Sequence, residues 1–390
     1  MAGVGTSILA SDYNNIQTKI AGVMGVGSGQ SGYNQTLSSA QVGNTDAIRA
    51  TQWTALRNDL LRARQHQTGT DQSANLVDVT ASTTSTFTGY IVGTTLTIVS
   101  LTSGSVQKGQ ALYGLSGQIT PGTVITSGFG TAWTVNNSQT VGSSGSPITI
   151  NGYLVVTDLF LTEYGNFADA CVTSKLTVAA NQITTGEAFT TNTNTSAWNG
   201  TKTNEVTITF PSATAARAYF NAGGDFRITA SRTGGTNNTK NSTWTAMISS
   251  DTVTYPNAAG TVTFNYSATT RSGTGTAYSI GFYGLTSSYQ TIFDKPAPAG
   301  AYSENHYVIY AKCDVASNAS GGATQVIFSI QFQDSDPGGD GTGSFGPPPY
   351  GPGVDESPDG TLVSAIGMGR PTGTNVSCPA PTPVRTTVWS

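Results

Sequence analysis

The residues that could do chemistry are few and scattered. The two histidines, His66 and His306, stand far apart in the chain, and neither adjoins a G-x-S-x-G nucleophile motif. One falls at the end of a helical pattern and the other at the start of a strand pattern, so both read first as structural side chains. Cys171, Cys313 and Cys378 are odd in number and show no zinc spacing, which leaves buried thiols. Gly27, Gly29 and Gly32 satisfy G-x-G-x-x-G. A dinucleotide-binding turn follows a strand, however, and this one follows a helical pattern. Asp334, Asp336 and Asp340 beside GGDG offer oxygen ligands for calcium, and Asp355, Glu356 and Asp359 join them only if the loop folds back. The EF-hand spacing fails, because no Glu stands at the twelfth position. Glycoside chemistry needs two acids in one cleft, and no spacing pairs Glu163, Glu187 or Glu205. These residues nominate no catalytic site, no cofactor and no metal.

The elements around them point to a scaffold. Charged residues make up 10% of the chain, against roughly 25% in an ordinary soluble domain. Aromatic residues reach 9%, and Thr, Ser, Asn and Gly fill much of the rest. Low charge combined with β-branched and aromatic residues favours short strands joined by polar turns over disorder. The net charge of −4 argues against nucleic acid as the main partner. Arg49, Arg57, Arg62 and Arg64 form a local exception, which reads as a solvated helix face. No basic leader with an apolar core opens the chain, and no apolar run of about 18 residues spans a bilayer. Membrane insertion is therefore not expected.

The expected fold class is α+β, mainly β. Residues 1–83 form an N-terminal helical unit. Ser11 or Asp12 caps a first helix that aligns Tyr13, Ile16, Ile20 and Val23, and Thr51 caps a second carrying Trp53, Leu56 and Leu60. Residues 84–150 change to short alternating segments broken by Gly and Pro, an inserted small β module. A helix over 151–180 then completes the first unit. Residues 181–335 form an α+β body with a mixed sheet and two short helices, and Gln182 to Lys202 is a loop or extended crossing. The body opens on TITFPSATAARAYFNAGGDFRITASRTGG. Here Ser212 caps a helix over Ala213–Phe220, and Asn221, Gly223 and Gly224 make a turn because Asn and Gly accept positive φ cheaply. Ser242 caps the second helix. Strands are expected at Thr261–Tyr266, Tyr278–Leu285, His306–Cys313 and Gln325–Gln333. Residues 336–390 form an extended Gly/Pro-rich tail, with a strand at Thr361–Ile366 that docks elsewhere.

Four groups of segments carry a resemblance. FPSATAARAYFNAGGDFRITASRTGG with KNSTWTAMISS resembles a stretch of virion structural proteins from tailed bacteriophages, particularly contractile-tailed phages of cyanobacteria. DYNNIQTKIAGVMG and WTALRNDLLRARQHQTG look like the N-terminal part of the same proteins. FTGYIVGTTLTIVSL, GQITPGTVIT and TVNNSQTVGS are similar to a small β module of phage tail and fibre proteins, and GTLVSAIGMGRP with NVSCPAPTP also fits.

The resemblance implies a non-enzymatic virion component that is made in the host cytoplasm and released by lysis. It would sit in a tail, collar or fibre assembly and associate with copies of itself, as a trimer or ring, and with other virion proteins. A capsid decoration protein and a carbohydrate-binding host-recognition module are the alternatives. On this reading Trp53, Leu56 and Leu60 form a face for docking or oligomerisation. The β module projects as a knob, in which Tyr90, Tyr113, Phe129 and Trp133 either stack on a host-surface glycan or fill the module's own core.

Overall fold

In α1 (Ala10–Met24) the side chains of Tyr13, Ile16, Ile20 and Val23 are buried, as their helical spacing requires. They meet α2 (Ala50–Thr68), where Trp53 is the centre of an aromatic cluster. The Trp53 ring takes Tyr13, Phe160 and Tyr164 edge-on at 5.1, 4.8 and 5.5 Å. Phe160 and Tyr164 belong to α3 (Asp158–Thr173). Trp53, Leu56 and Leu60 are thus core residues of this three-helix group, 2%, 0% and 0% exposed, and present no face to a second copy. The oligomerisation surface expected there is corrected on that ground: a one-sided apolar stripe on a helix is satisfied equally well inside the chain.

The helix starts also differ from expectation. Leu9 and Arg49 occupy the cap positions, and the side chains of Asp12 and Gln52 reach back to accept their backbone N–H groups at 3.1 and 2.6 Å. Gly69 closes α2 in the left-handed conformation, φ 75°. The buried Asp59 carboxylate accepts the N–H groups of Ser38 and Ser39 at 2.8–3.0 Å, which pins the preceding loop onto α2.

The computed structural model describes residues 9–28, 31–43, 48–78, 84–114, 117–154, 158–249, 262–298, 302–335 and 357–389. Two compact units share the chain: one runs up to Gly25 and continues over Thr36–Lys175, and the other takes Val26–Gln35 and everything from Leu176. Residues 1–8 of the expected N-terminal helical unit lie outside the described residues.

Between α2 and α3 stand β1 (Thr84–Gly104), β2 (Gln110–Gly114), β3 (Ile125–Phe129), β4 (Ala132–Val141) and β5 (Ile148–Leu154). They form one antiparallel sheet in the order β2-β5-β1-β4-β3. β1 turns back on itself at Gly93, φ 64°; a Cβ placed on Gly89 would lie 2.5 Å from the carbonyl oxygen of Thr97, so the two arms run side by side. The sheet then closes. Gly109 N–H donates to Ile125 O at 2.9 Å and Leu112 N–H to Thr123 O at 2.8 Å, joining the two outermost strands. Phe87, Ile91, Leu96, Ile98, Leu112, Ile125, Trp133, Val135 and Ile150 fill the interior of this small barrel. Closure removes the free sheet edges that a chain of short strands would otherwise expose.

The second unit is built on two antiparallel sheets. Its elements in order are β6 (Ile183–Asn194), β7 (Thr201–Thr209), α4 (Ala213–Asn221), β8 (Asp225–Thr233), α5 (Thr239–Ser249), β9 (Val262–Phe264), β10 (Thr269–Arg271), β11 (Thr276–Ala277), β12 (Gln290–Pro296), β13 (His306–Cys313), β14 (Gln325–Gln333), β15 (Thr361–Pro371) and β16 (Thr382–Val388). One sheet runs β10-β9-β8-β15-β6 and the other β11-β12-β13-β14-β7-β16. Phe226 of β8 and Phe264 of β9 meet Phe328 of β14 at 6.1 and 5.2 Å, so the sheets share one aromatic core. The fold class is α+β, mainly β.

Every named strand pair is antiparallel, where a mixed sheet was expected. The β12-β13-β14 meander needs only local connections, whereas a parallel pair needs a long crossover. Of the two readings of Gln182–Lys202 the extended one holds over most of its length: β6 pairs along β15 from Ile183 to Asn194, and a short connection leads to β7 at Thr201. Tyr278–Leu285 is not a strand, for it ends in a 3-10 turn at Phe282–Gly284; the strand lies later, at Gln290–Pro296. The tail is not an appendage beyond Thr361, since β15 occupies the sheet between β8 and β6. Residues 336–356 lie outside the described residues. Ser212 caps α4 through a 3.1 Å bond from Ala215 N–H, while α5 is capped by Asn238, not Ser242.

Gly223 and Gly224 end α4 for different reasons. Gly223 holds φ 90°, and a Cβ on Gly224 would lie 2.5 Å from the Tyr219 ring. We expect Gly224→Val to lower the unfolding free energy by about 3 kcal/mol through overpacking. Gly165, inside α3, has nothing within 4 Å of a new Cβ, and Gly165→Ala should raise it by about 0.5–1 kcal/mol. Urea melts of both variants beside the wild type check the opposite signs.

Candidate functional site

Side chains along β1 alternate, and the turn at Gly93 changes which parity faces the barrel interior. Phe87 and Ile91 point inward before it, Leu96 and Ile98 after it. Thr86 and Tyr90 therefore face outward on the first arm, and Val99 and Leu101, both about half exposed, on the second. In β5 Ile150 is buried, so Asn151 and Tyr153 fall on opposite faces from it; in β2 Leu112 is buried and Tyr113 faces out. Strand register sets Thr86 opposite Asn151, and Asn151 opposite Tyr113. The Thr86 hydroxyl donates to Asn151 Oδ1 at 3.0 Å. The Tyr113 and Tyr153 rings, 52% and 44% exposed, meet edge to face at 5.6 Å with 69° between their planes. An outward patch of two tyrosines, an amide and a hydroxyl thus crosses three strands.

The four aromatic residues expected to contact glycan separate. Trp133 is 9% exposed in the barrel core, and its indole N–H donates to Gly130 O at 2.9 Å; burial removes it from any surface role. Phe129, at the β3–β4 turn, is 87% exposed. Tyr90 is half-buried on the first arm of β1. Only Tyr113 joins a second exposed ring, and that partner, Tyr153, was missed. The alternation of ITINGYL carried the signal, but the expected module ended at residue 150.

The other candidates are tied into the scaffold. Asn221 is buried; its amide donates to Gly32 O at 3.0 Å and its Oδ1 accepts the Tyr283 hydroxyl at 2.8 Å. Glu163 accepts Val77 N–H at 2.8 Å and pairs with Lys108. Glu187 forms an ion pair with Arg370 at 3.1 Å. Glu205 accepts the hydroxyls of Tyr289 and Thr386. His66 is buried in α2, and His306 Nδ1 lies 2.8 Å from Asp294 Oδ1. Arg57, one of the four clustered arginines, is buried and donates to the carbonyl oxygens of Ser73, Leu76 and Val77. Of the acids considered for calcium, Asp334 is buried against Lys240 at 2.9 Å, and Asp359 accepts from Thr236 and Asn241. Asp336, Asp340, Asp355 and Glu356 lie outside the described residues. Among the described residues no group of three or more His, Cys, Asp or Glu could hold a metal ion. The three cysteines are free and buried, and burial pushes the Cys171 and Cys378 thiols up to about 12. No described helix is long and apolar enough to cross a membrane.

Comparison of the chain with family models, with curated proteins and with solved structures finds no match.

Trp133→Ala should cost about 3–5 kcal/mol of stability, as for other large core truncations, whereas Phe129→Ala should stay within about 0.5 kcal/mol; thermal melts separate them. Hydrogen bonds from Thr236 and Asn241 hold the Asp359 carboxyl below its ordinary range. At Asp314 burial opposes the shift, but bonds from Thr324 and Gln325 outweigh it and the pKa is again lowered. A folded-state pKa below the unfolded value, about 3.9 for Asp, gives stability that is present above that value and lost as pH falls through the folded one. The melting temperature should therefore drop between pH 5 and pH 3, and Asp314→Asn should lower it at pH 7 while flattening that decline.

Proposed function

We propose that this chain is a non-enzymatic structural component of a tailed-phage virion, carried in a tail, collar or fibre assembly as a trimer or ring of copies. One observation carries the non-enzymatic part. The acids that might serve hydrolysis, Glu163, Glu187 and Glu205, each hold a scaffold contact: a backbone N–H, an arginine and two hydroxyls respectively. A general acid or base must be free to exchange a proton with substrate, and these carboxylates are committed to holding loops and strands. The placement in a virion rests on the resemblance of the FPSATAARAYFNAGGDFRITASRTGG stretch and the β module to phage structural proteins. The architecture is compatible with that placement: a closed barrel and a two-sheet body present few charges and many hydroxyl and amide groups, which suits packing against like copies.

The test is mass spectrometry of gradient-purified particles from an infected host, together with light scattering of the purified chain. The reading expects the protein in particles after a high-salt wash and a solution mass that is a fixed multiple of one chain. A protein abundant in the lysate but absent from washed particles would overturn it.

A further inference from the structure

We propose that the outward face of the β barrel, centred on Tyr113 and Tyr153, binds a neutral sugar ring. The inference rests on the geometry of this face and is independent of the virion reading.

Three observations select the ligand class. The first is the ring geometry. Two tyrosines on adjacent strands are each about half exposed, and their planes stand 69° apart. In an edge-to-face pair the edge of one ring meets the face of the other, so ring surface remains open for a further partner. The C–H face of a pyranose matches the electron-rich face of such a ring. The second is the polar pair alongside. Asn151 Oδ1 accepts the Thr86 hydroxyl at 3.0 Å, which orients the amide and leaves its NH2 group as a donor for a sugar hydroxyl. The third is charge. From Thr84 to Leu154 the sequence contains a single charged side chain, Lys108, and its ammonium pairs with Glu163 of α3. The barrel therefore offers an anionic or cationic ligand no counter-charge, whereas a polyhydroxylated neutral ligand needs none. Because the four side chains stand on strands of a closed barrel and not on loops, they are held in place before any ligand arrives.

The test uses the full-length protein and saturation-transfer NMR with glucose, galactose and N-acetylglucosamine, each as monosaccharide and as a short oligomer. The expected result is transfer to the ring C–H protons of at least one sugar. Tyr113→Ala and Tyr153→Ala should each abolish the transfer or weaken affinity roughly tenfold, the loss of one stacked ring. Phe129→Ala should leave it intact. Unchanged melting temperatures in the two tyrosine variants would show that the barrel remains folded. Absence of transfer from every sugar overturns the proposal, as does transfer that survives both tyrosine substitutions. A tyrosine substitution that changes the solution mass while no sugar binds would also overturn it, by assigning the face to contact between copies. Incorporation into particles is read separately, so this proposal and the structural one fail independently.

Discussion

The second unit depends on one side chain, Tyr219. Its ring lies fully buried, stacked on Phe226 at 5.3 Å and edge-on to Phe210 and Phe220. Its hydroxyl sits 2.7 Å from the carbonyl oxygen of Asp225 and 2.9 Å from that of Gly369. A buried phenol needs such a partner, because an unsatisfied hydroxyl in a dry core costs on the order of 1–3 kcal/mol. By finding it in two strands at once, Tyr219 ties α4 to the start of β8 and the end of β15. Phe226 extends the constraint to Phe328 in the facing sheet. The glycines follow from it: a side chain at Gly224 would collide with the ring that makes the connection.

This arrangement explains which parts of the fold were legible in the sequence. QVIFSIQFQ alternates strictly because β14 lies inside its sheet with one face on the aromatic core, and periodicity alone marks it. The helices α1, α2 and α3 were legible for the same reason, each burying one apolar stripe. β6 was legible only as one of two readings of its stretch. ITTGEAFTTNTN is an edge strand whose partner supplies the order, and Thr and Asn at an edge carry no alternation. β15 was legible over its first half, where a strand was expected at Thr361–Ile366, but its continuation to Pro371 and its place between β8 and β6 were not. Leu362, Ser364, Ile366 and Met368 all point inward, but Ser364 interrupts the apolar pattern. That serine is buried because Asn204 donates to its hydroxyl at 3.2 Å, a cross-sheet bond that no local pattern announces. Pairing decided at long range is invisible to a window of a few residues.

The outward aromatic patch was half legible for a related reason. Tyr113, Phe129, Trp133 and Tyr90 are all aromatic residues in an alternating segment, and type and spacing cannot say which face of a strand meets the core. The turn at Gly93 made matters worse, because inward positions are odd-numbered before it and even-numbered after it. A reader who carries one parity through β1 places half of its side chains on the wrong face. Barrel closure then decides the outcome: Trp133 is enclosed with Phe87 and Ile125, while Tyr113 and Tyr153 are left outside.

Low charge is what makes these details consequential. In a highly charged protein, surface recognition and solubility rest on ionic groups whose positions tolerate error, since Coulombic attraction is long-ranged and weakly directional. Here the ions are few and many are committed inside the scaffold, as with Asp59, Arg57 and Asp334. Cohesion therefore falls to aromatic packing and neutral hydrogen bonds, both of which act only at contact distance. The same short-range forces are all that the barrel surface has to offer a partner, so what it recognises must match it in shape and in hydrogen-bonding groups rather than in charge.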